Sequence, residues 1–237
     1  MRRFLIASTL TITLGFPALG RAMMYDIDPA HTSAQFAIRH LMVSTVRGDF
    51  RKVTGTVNLD EKDVTKSTVE ATIDVASINT GNEKRDTHLR SPDFFDVAKF
   101  PSMTFKSKQI QKAGEGKYKI TGDLTLRGVT KEVVLEFEGN LTPVKDPMGK
   151  TRIGGMATTK INRKDFGLAW NKALETGGVM VGDEATITID TELTQQQAAA
   201  NVPPATVTEA VQQATDRAIN NATDKAINKT LDAVMGK

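Results

Sequence analysis

Between Tyr25 and Thr194, apolar and polar side chains alternate in eight runs: Ser33–His40, Arg47–Asp60, Lys66–Ile78, Ser102–Gln111, Lys117–Leu126, Lys131–Leu141, Arg152–Asn162 and Asp183–Leu193. A period of two sends successive side chains to opposite faces, so each run predicts a β-strand with one buried face. The links AGEG (113–116), RGVT (127–130) and PVKDPMGK (143–150) are short and rich in turn residues, which makes neighbouring strands antiparallel. Two links are longer, Thr80–Pro101 and Arg163–Gly182. Eight antiparallel strands in succession predict an all-β fold, an up-and-down barrel that leaves no open edge. Two packed sheets would satisfy the same periodicity.

The alternation also predicts which side chains point inward. They are Ala34, Phe36 and Ile38 on the first run, and Gly48, Phe50, Gly55, Val57 and Leu59 on the second, with a bulge at Arg51–Lys52. Val69, Ala71, Ile73 and Val75 follow, then Met103 and Phe105, then Ile120, Gly122, Leu124 and Leu126. The last three runs contribute Val133, Leu135, Phe137 and Gly139, then Ile153, Gly155 and Ala157, then Ala185, Ile187 and Ile189. Small residues recur in this row: Ala34, Gly55, Ala71, Gly122, Gly139, Gly155, Ala157 and Ala185. A small barrel ordinarily fills its interior with side chains. Small residues among large aliphatic ones therefore point to unfilled apolar volume, or else to barrel curvature and bulges.

The long links carry the densest chemistry. In RDTHLRSPDFFDVAKFPSMTF (85–105), Asn82–Arg90 reads as a short helix starting at Thr80 or Gly81. Ser91 as N-cap, Pro92 at the first position and Asp93 on the positive end predict a second helical turn. Phe94 and Phe95 follow, so the stretch reads as a plug over a barrel mouth with a charged outer face, or as plain packing of a crossover helix. The lone tryptophan, Trp170, lies in the second link. Its amphipathic ring suits either a cavity rim or packing. A catalytic reading must combine His88 with Arg85 and Asp86, yet their spacing does not put His88 and Asp86 on one helical face. A metal reading must gather His31, His40 and His88, and zinc-type spacing is absent. Arg39, His40 and Arg47 are candidate contacts for a polar head group, since guanidinium donors suit phosphate and carbonyl oxygens; a surface hydrogen bond at a strand end explains each of them as well.

Charge and termini narrow the field. Residues 1–22 carry Arg2 and Arg3 before an apolar run, then Pro17 and small residues, the layout of a secretory signal peptide. The chain has 31 basic and 28 acidic residues; without the three arginines of that segment the remainder is neutral. A neutral body has no electrostatic attraction for nucleic acid or an anionic membrane. Cysteine is absent, which excludes disulfides and thiol chemistry. After Leu193, residues 195–205 read as a linker. Residues 206–237 contain the near-repeat ATDRAINN and ATDKAINK, a weakly amphipathic helix or a disordered tail that could serve a homodimer or a protein partner.

The chain resembles the YceI-like family. The resemblance rests on DPAHTSAQFAIRHL (28–41), VRGDF (46–50), VEATIDVASINTGNEKRDTHLRSPDFFDVAKFPSMTFKS (69–107), ITGDLTLRGVTKEV (120–133) and INRKDFGL (161–168), in that order. It implies an eight-stranded, lipocalin-like β-barrel that carries a long-chain isoprenoid, such as a quinone or prenyl phosphate, or a fatty-acid-like lipid. It implies no catalytic site and no cofactor beyond the bound lipid. The segment after Gln195 departs from the pattern. On this reading the cavity is lined by Phe36, Ile38, Phe50, Val57, Ala71, Ile73, Phe94, Phe95, Phe105, Gly122, Leu124, Leu135, Phe137, Ala157, Trp170 and Ile187. The expectation is an exported periplasmic carrier for which a membrane is only donor or acceptor of lipid. The rivals are an envelope hydrolase or metal enzyme, and a fully packed structural or stress protein.

Overall fold

The computed structural model describes residues 23–175 and 177–196. The expected signal peptide (1–22) and nearly all of the expected linker and C-terminal helix lie outside the described residues. The strands are β1 (Met23–Ile27), β2 (Ser33–His40), β3 (Ser44–Phe50), β4 (Val53–Leu59), β5 (Thr68–Asp74), β6 (Ile78–Asn79), β7 (Ser102–Gly114), β8 (Lys117–Leu126), β9 (Val129–Lys145), β10 (Thr151–Asn162) and β11 (Val181–Gln195). One α-helix, α1 (Glu83–Arg90), sits between β6 and β7. All pairings are antiparallel, in the order β1-β4-β5-β7-β8-β9-β10-β11-β2-β3-β6, and β1 also pairs with β11. This is a closed eight-stranded barrel and not two packed sheets.

The closure depends on two bends. β11 pairs with β1 through Leu193, Thr194 and Gln195, and with β2 from Val181 to Asp190. β1 and β2 therefore act as one strand bent at residues 28–32. β3 and β4 do the same across Arg51–Lys52, the bulge the alternation predicts. The Ser77 hydroxyl accepts from both amides of that bend, at 3.1 and 3.2 Å. The expected run Lys66–Ile78 is broken. β5 ends at Asp74, whose carboxylate accepts from the Ala76 amide at 2.9 Å and starts a 3-10 turn over Val75–Ser77. β6 then leaves the barrel wall to pair with Phe50 and Asp49 of β3. Helix α1 starts at Asn82, whose side chain accepts from the Arg85 amide. The predicted second helical turn at Ser91 is instead a series of tight turns. The Ser91 hydroxyl donates back to the His88 carbonyl at 2.7 Å, so it closes α1 rather than opening a new helix.

One ionic cluster fastens the bend in β1–β2 to the far strands. Arg152 of β10 donates to Asp28 at 2.6 Å, to Asp146 at 2.7 Å and to Glu192 of β11. His31 Nδ1 lies 3.0 Å from Asp28 Oδ2, the same oxygen that accepts from Arg152. The guanidinium, and then His31, hold the Asp28 carboxyl well below the usual carboxylate range; Arg152 also lowers Asp146. A carboxyl depressed in the folded state stabilises the fold above its unfolded pKa of about 4, and that stability is lost as pH falls through the folded value. Arg152→Met should therefore melt at a lower temperature than wild type at pH 7. The gap should narrow as pH falls below about 4. Melting curves over that range test this, and a gap that stays constant under acid would refute the assigned role.

Candidate functional site: the barrel cavity

A cavity runs through the barrel interior. Its volume is about 260 Å³. Along β11 its wall includes Val181, Ala185, Ile187, Ile189, Thr191 and Leu193. The thirteen residues from Val181 to Leu193 correspond to roughly 40 Å measured along the strand. The wall thus follows most of the length of β11, which crosses the barrel at a tilt. Its wall is almost wholly apolar. Apolar cavities of this kind stay dry, and hold apolar guests without a polar cost.

The polar groups at the two ends of the wall are already engaged. The Thr32 hydroxyl lies 3.2 Å from that of Thr191. Arg163 is buried, and its guanidinium donates to the carbonyls of Gly182 at 2.8 Å, Trp170 at 2.9 Å, Val181 at 3.3 Å and Leu168. Burial pushes its pKa down. With its donors on backbone carbonyls, Arg163 fastens the link after β10 over this end of the barrel and offers no free fork to a ligand. Arg127, in the β8–β9 turn, reaches the carbonyls of Gly167 and Pro92 at 2.8 and 2.9 Å. It ties the 163–168 and 91–96 segments together over the same end.

Most residues expected on the wall are there. Phe36, Ile38, Phe50, Val57, Ala71, Ile73, Phe94, Phe95, Phe105, Leu124, Leu135, Phe137, Ala157 and Ile187 all line the cavity. Phe94 and Phe95 cover one end, Phe95 meeting Phe50 edge-on at 5.6 Å. Trp170 is not on the wall. Arg163 holds its carbonyl, and its ring packs on His88 and Phe94 at 5.0 and 5.1 Å, behind the plug. Gly122 is also off the wall, because the ring of Phe105 lies over it: a Cβ there would be 2.5 Å from Phe105 Cζ and 2.5 Å from the Lys106 carbonyl.

That second correction applies to the other inward glycines as well, except Gly55, where a Cβ would instead meet the Glu70 carbonyl and the Cα of Ala71. A Cβ on Gly48 would meet the Phe36 ring at 2.5 Å, and on Gly155 the Phe137 ring at 2.5 Å. Each of these glycines is the floor on which a phenylalanine ring lies, so glycine does not create the unfilled volume. The alanines do: Ala34, Ala71, Ala157 and Ala185 all line the cavity, and no glycine does.

The head-group candidates are placed otherwise than expected. Arg39 and Arg47 have the parity opposite to Ile38 and Phe36, and project from the outer face. Arg39 donates to the Met42 carbonyl and the Thr45 hydroxyl; Arg47 borders a shallow polar groove with Ser33, Asp49, Asn79 and Thr80. His40 shares the parity of Ile38 but ends the strand, half-buried and opposite Val181.

The catalytic and metal combinations are not assembled. Arg85 and Asp86 both bind Thr80, while His88 sits 2.9 Å from Asp93. His31 is in the Arg152 cluster, far in the fold from His40 and His88. Asp28, His31 and Glu192 do offer ligand atoms within 4.8 Å of one another. Arg152 already bridges the two carboxylates, where a cation would have to sit.

A model of the YceI-like domain matches residues 25–193. The chain belongs to the YceI-like family. A UPF0312 protein of Staphylococcus aureus is 42% identical over 161 residues, covering 68% of this chain and 91% of the relative. The solved YceI protein of Campylobacter jejuni is 31% identical, covering 81% of this chain and all of that one, with a TM-score of 0.57. A domain from Saccharophagus degradans described as polyisoprenoid binding shares the fold alone, at 16% identity and a TM-score of 0.53 over 73% of this chain and 99% of that one. In this YceI-like barrel, periodicity could not reveal Arg163, because it sits in a 3-10 turn. Thr191 was legible, since it continues the parity of Ile187 and Ile189.

If phenylalanine rings need the glycines beneath them, the two must be coupled. Gly48→Ala should cost about 1–3 kcal/mol in urea unfolding. The same change made in a Phe36→Ala background should cost clearly less. Equal costs in both backgrounds would show that the ring does not set the constraint at Gly48.

Proposed function

We propose that this YceI-like barrel is an exported carrier that holds a long, uncharged, apolar lipid chain in its cavity. An isoprenoid chain is the leading candidate. The observation that carries the reading is a long channel whose wall is apolar and whose one buried cation, Arg163, is fully engaged with backbone carbonyls. A buried ionised head would need a partner that the wall does not supply. The charged or polar end of a ligand would therefore lie outside, and only its chain within. Membership of the YceI-like family and the fold shared with a domain described as polyisoprenoid binding support the same class of ligand. The layout of residues 1–22 supports export to the periplasm, with a membrane as donor or acceptor of the lipid.

Two measurements test the proposal. Protein purified without detergent should yield a stoichiometric long-chain lipid on solvent extraction and mass spectrometry; a clean extract would count against carriage. Ala157 is the site at which to block the channel, since it is buried, mid-strand and on the wall. Ala157→Leu should leave the stripped protein within about 1 kcal/mol of wild type, because the added methylenes enter empty apolar space. Its lipid content should fall severalfold. Unfolding of stripped Ala157→Leu would mean that the interior is already full.

A further inference from the structure

The turn joining β2 to β3 presents apolar side chains to solvent. Met42 is 53% and Val43 78% exposed. His40 pairs with Ser44, and the Val43 amide donates to the His40 carbonyl at 3.1 Å, so Leu41 and Met42 are the central residues of a tight turn within a three-residue hairpin link. Both are left-handed, with φ of 50° and 61°. Hairpins with that geometry favour Asn-Gly, which adopts it with little strain and leaves no apolar surface exposed. Leu-Met is unfavourable on both counts, and local strain retained with an exposed apolar tip points to a surface in use.

Its position says what for. Ile38 and Val181 are wall residues at one end of the cavity. His40 pairs with Val181, and the Leu41 amide donates to the Met180 carbonyl at 2.8 Å. The apolar tip thus stands just beyond that end of the channel. Exposed Arg39 and Arg47 flank it on the outer face; Arg39 braces the turn through the Met42 carbonyl at 2.8 Å while staying in solvent. Lys172 and Glu175 of the neighbouring link offset one another in charge. An apolar finger with a basic collar is complementary to a bilayer interface with anionic head groups.

We propose that the Leu41–Val43 turn is the finger by which this barrel docks on a lipid bilayer, bringing one end of the channel to the membrane. This rests on the carrier reading for its purpose but is measured without it. The probe is vesicles of phosphatidylethanolamine and phosphatidylglycerol in equal parts, containing no isoprenoid. The protein is residues 23–237, which contain every strand of the closed barrel, and binding is read by co-flotation. Leu41→Asn with Met42→Gly should raise the melting temperature, since the turn is relieved, and weaken vesicle binding about tenfold. Val144→Ser at the end of β9 with Met148→Ser in the β9–β10 turn, both exposed, should leave binding unchanged. Failure of wild type to bind, undiminished binding by the Asn-Gly variant, or an equal loss in the β9–β10 variant would each overturn the proposal. So would concentration-dependent self-association abolished by the Asn-Gly variant without vesicle binding, which would make the tip a protein contact. Lipid extraction from the same preparations separates the two readings: docking by a protein with an empty extract would sink the carrier and leave the finger, and a loaded protein that ignores vesicles would do the reverse.

Discussion

A barrel closes only when its first and last strands meet, and here they meet over three residue pairs, Tyr25 with Gln195, Asp26 with Thr194 and Ile27 with Leu193. That short seam removes the open edges that antiparallel sheets must otherwise protect. It works because β11 is long enough to serve two partners, β1 at one end and β2 at the other. The chain can follow only if it bends at residues 28–32 and again at Arg51–Lys52. Arg152 holds the first bend from outside and Ser77 holds the second. Both bends are fastened by groups remote in sequence, so the wall and the space within it form together.

Closure then sets what fills the interior. Curving a wall of eight strands brings backbones close together, and at the tightest places only glycine fits. At Gly48, Gly122, Gly139 and Gly155 the exposed backbone is covered by a phenylalanine from the same or the neighbouring strand, the device that rescues glycine in strands. Phe36, Phe105 and Phe137 are thereby committed to lying along the wall and not across the channel. The remaining inward positions alternate large aliphatics with alanine. The lumen is what is left over the alanines. A cavity made in this way is lined by side chains already held by packing, so it keeps its shape without a ligand.

Much of this was legible in the chain. Period two put most of the cavity-lining residues between Ala34 and Ile189 on the inner row, though Val53, Thr159 and Ile161 were not in it, and the bulge at Arg51–Lys52 showed as a break in phase. Two things were hidden for physical reasons. Parity tells that a glycine faces inward but not that a neighbouring ring lies on it, because ring direction depends on cross-strand register. Burial of Arg163 left no trace either, since its cost is repaid by carbonyls of a loop whose path has no period. Arg39 and Arg47 each adjoin an inward residue of their own strand, Ile38 and Gly48, so parity already puts both outside. Ser91-Pro92-Asp93 misled for a different reason. It is a good helix start in isolation, but the Ser91 hydroxyl is taken by the end of α1, three residues back.

An interior of this kind recognises little beyond length, width and apolarity, because hydrophobic burial is non-directional. Selectivity among lipids with similar chains must come from groups at the end of the channel or outside it. At the end closed by Phe94 and Phe95, Arg127 and Arg163 are engaged with carbonyls, so they stabilise the cover rather than read a head group. Outside it, Arg39 and Arg47 are exposed basic side chains set beside a turn that keeps Leu41 and Met42 in a left-handed conformation at a cost on the order of 1 kcal/mol each. A neutral barrel gains nothing from long-range attraction to a membrane. Any directed encounter must then be local, and the β2–β3 turn joins exposed apolar surface to positive charge within a few residues of the channel. The physics that makes the lumen indifferent to head groups thus moves discrimination to the outside of the barrel, where the sequence departs from what a simple hairpin would prefer.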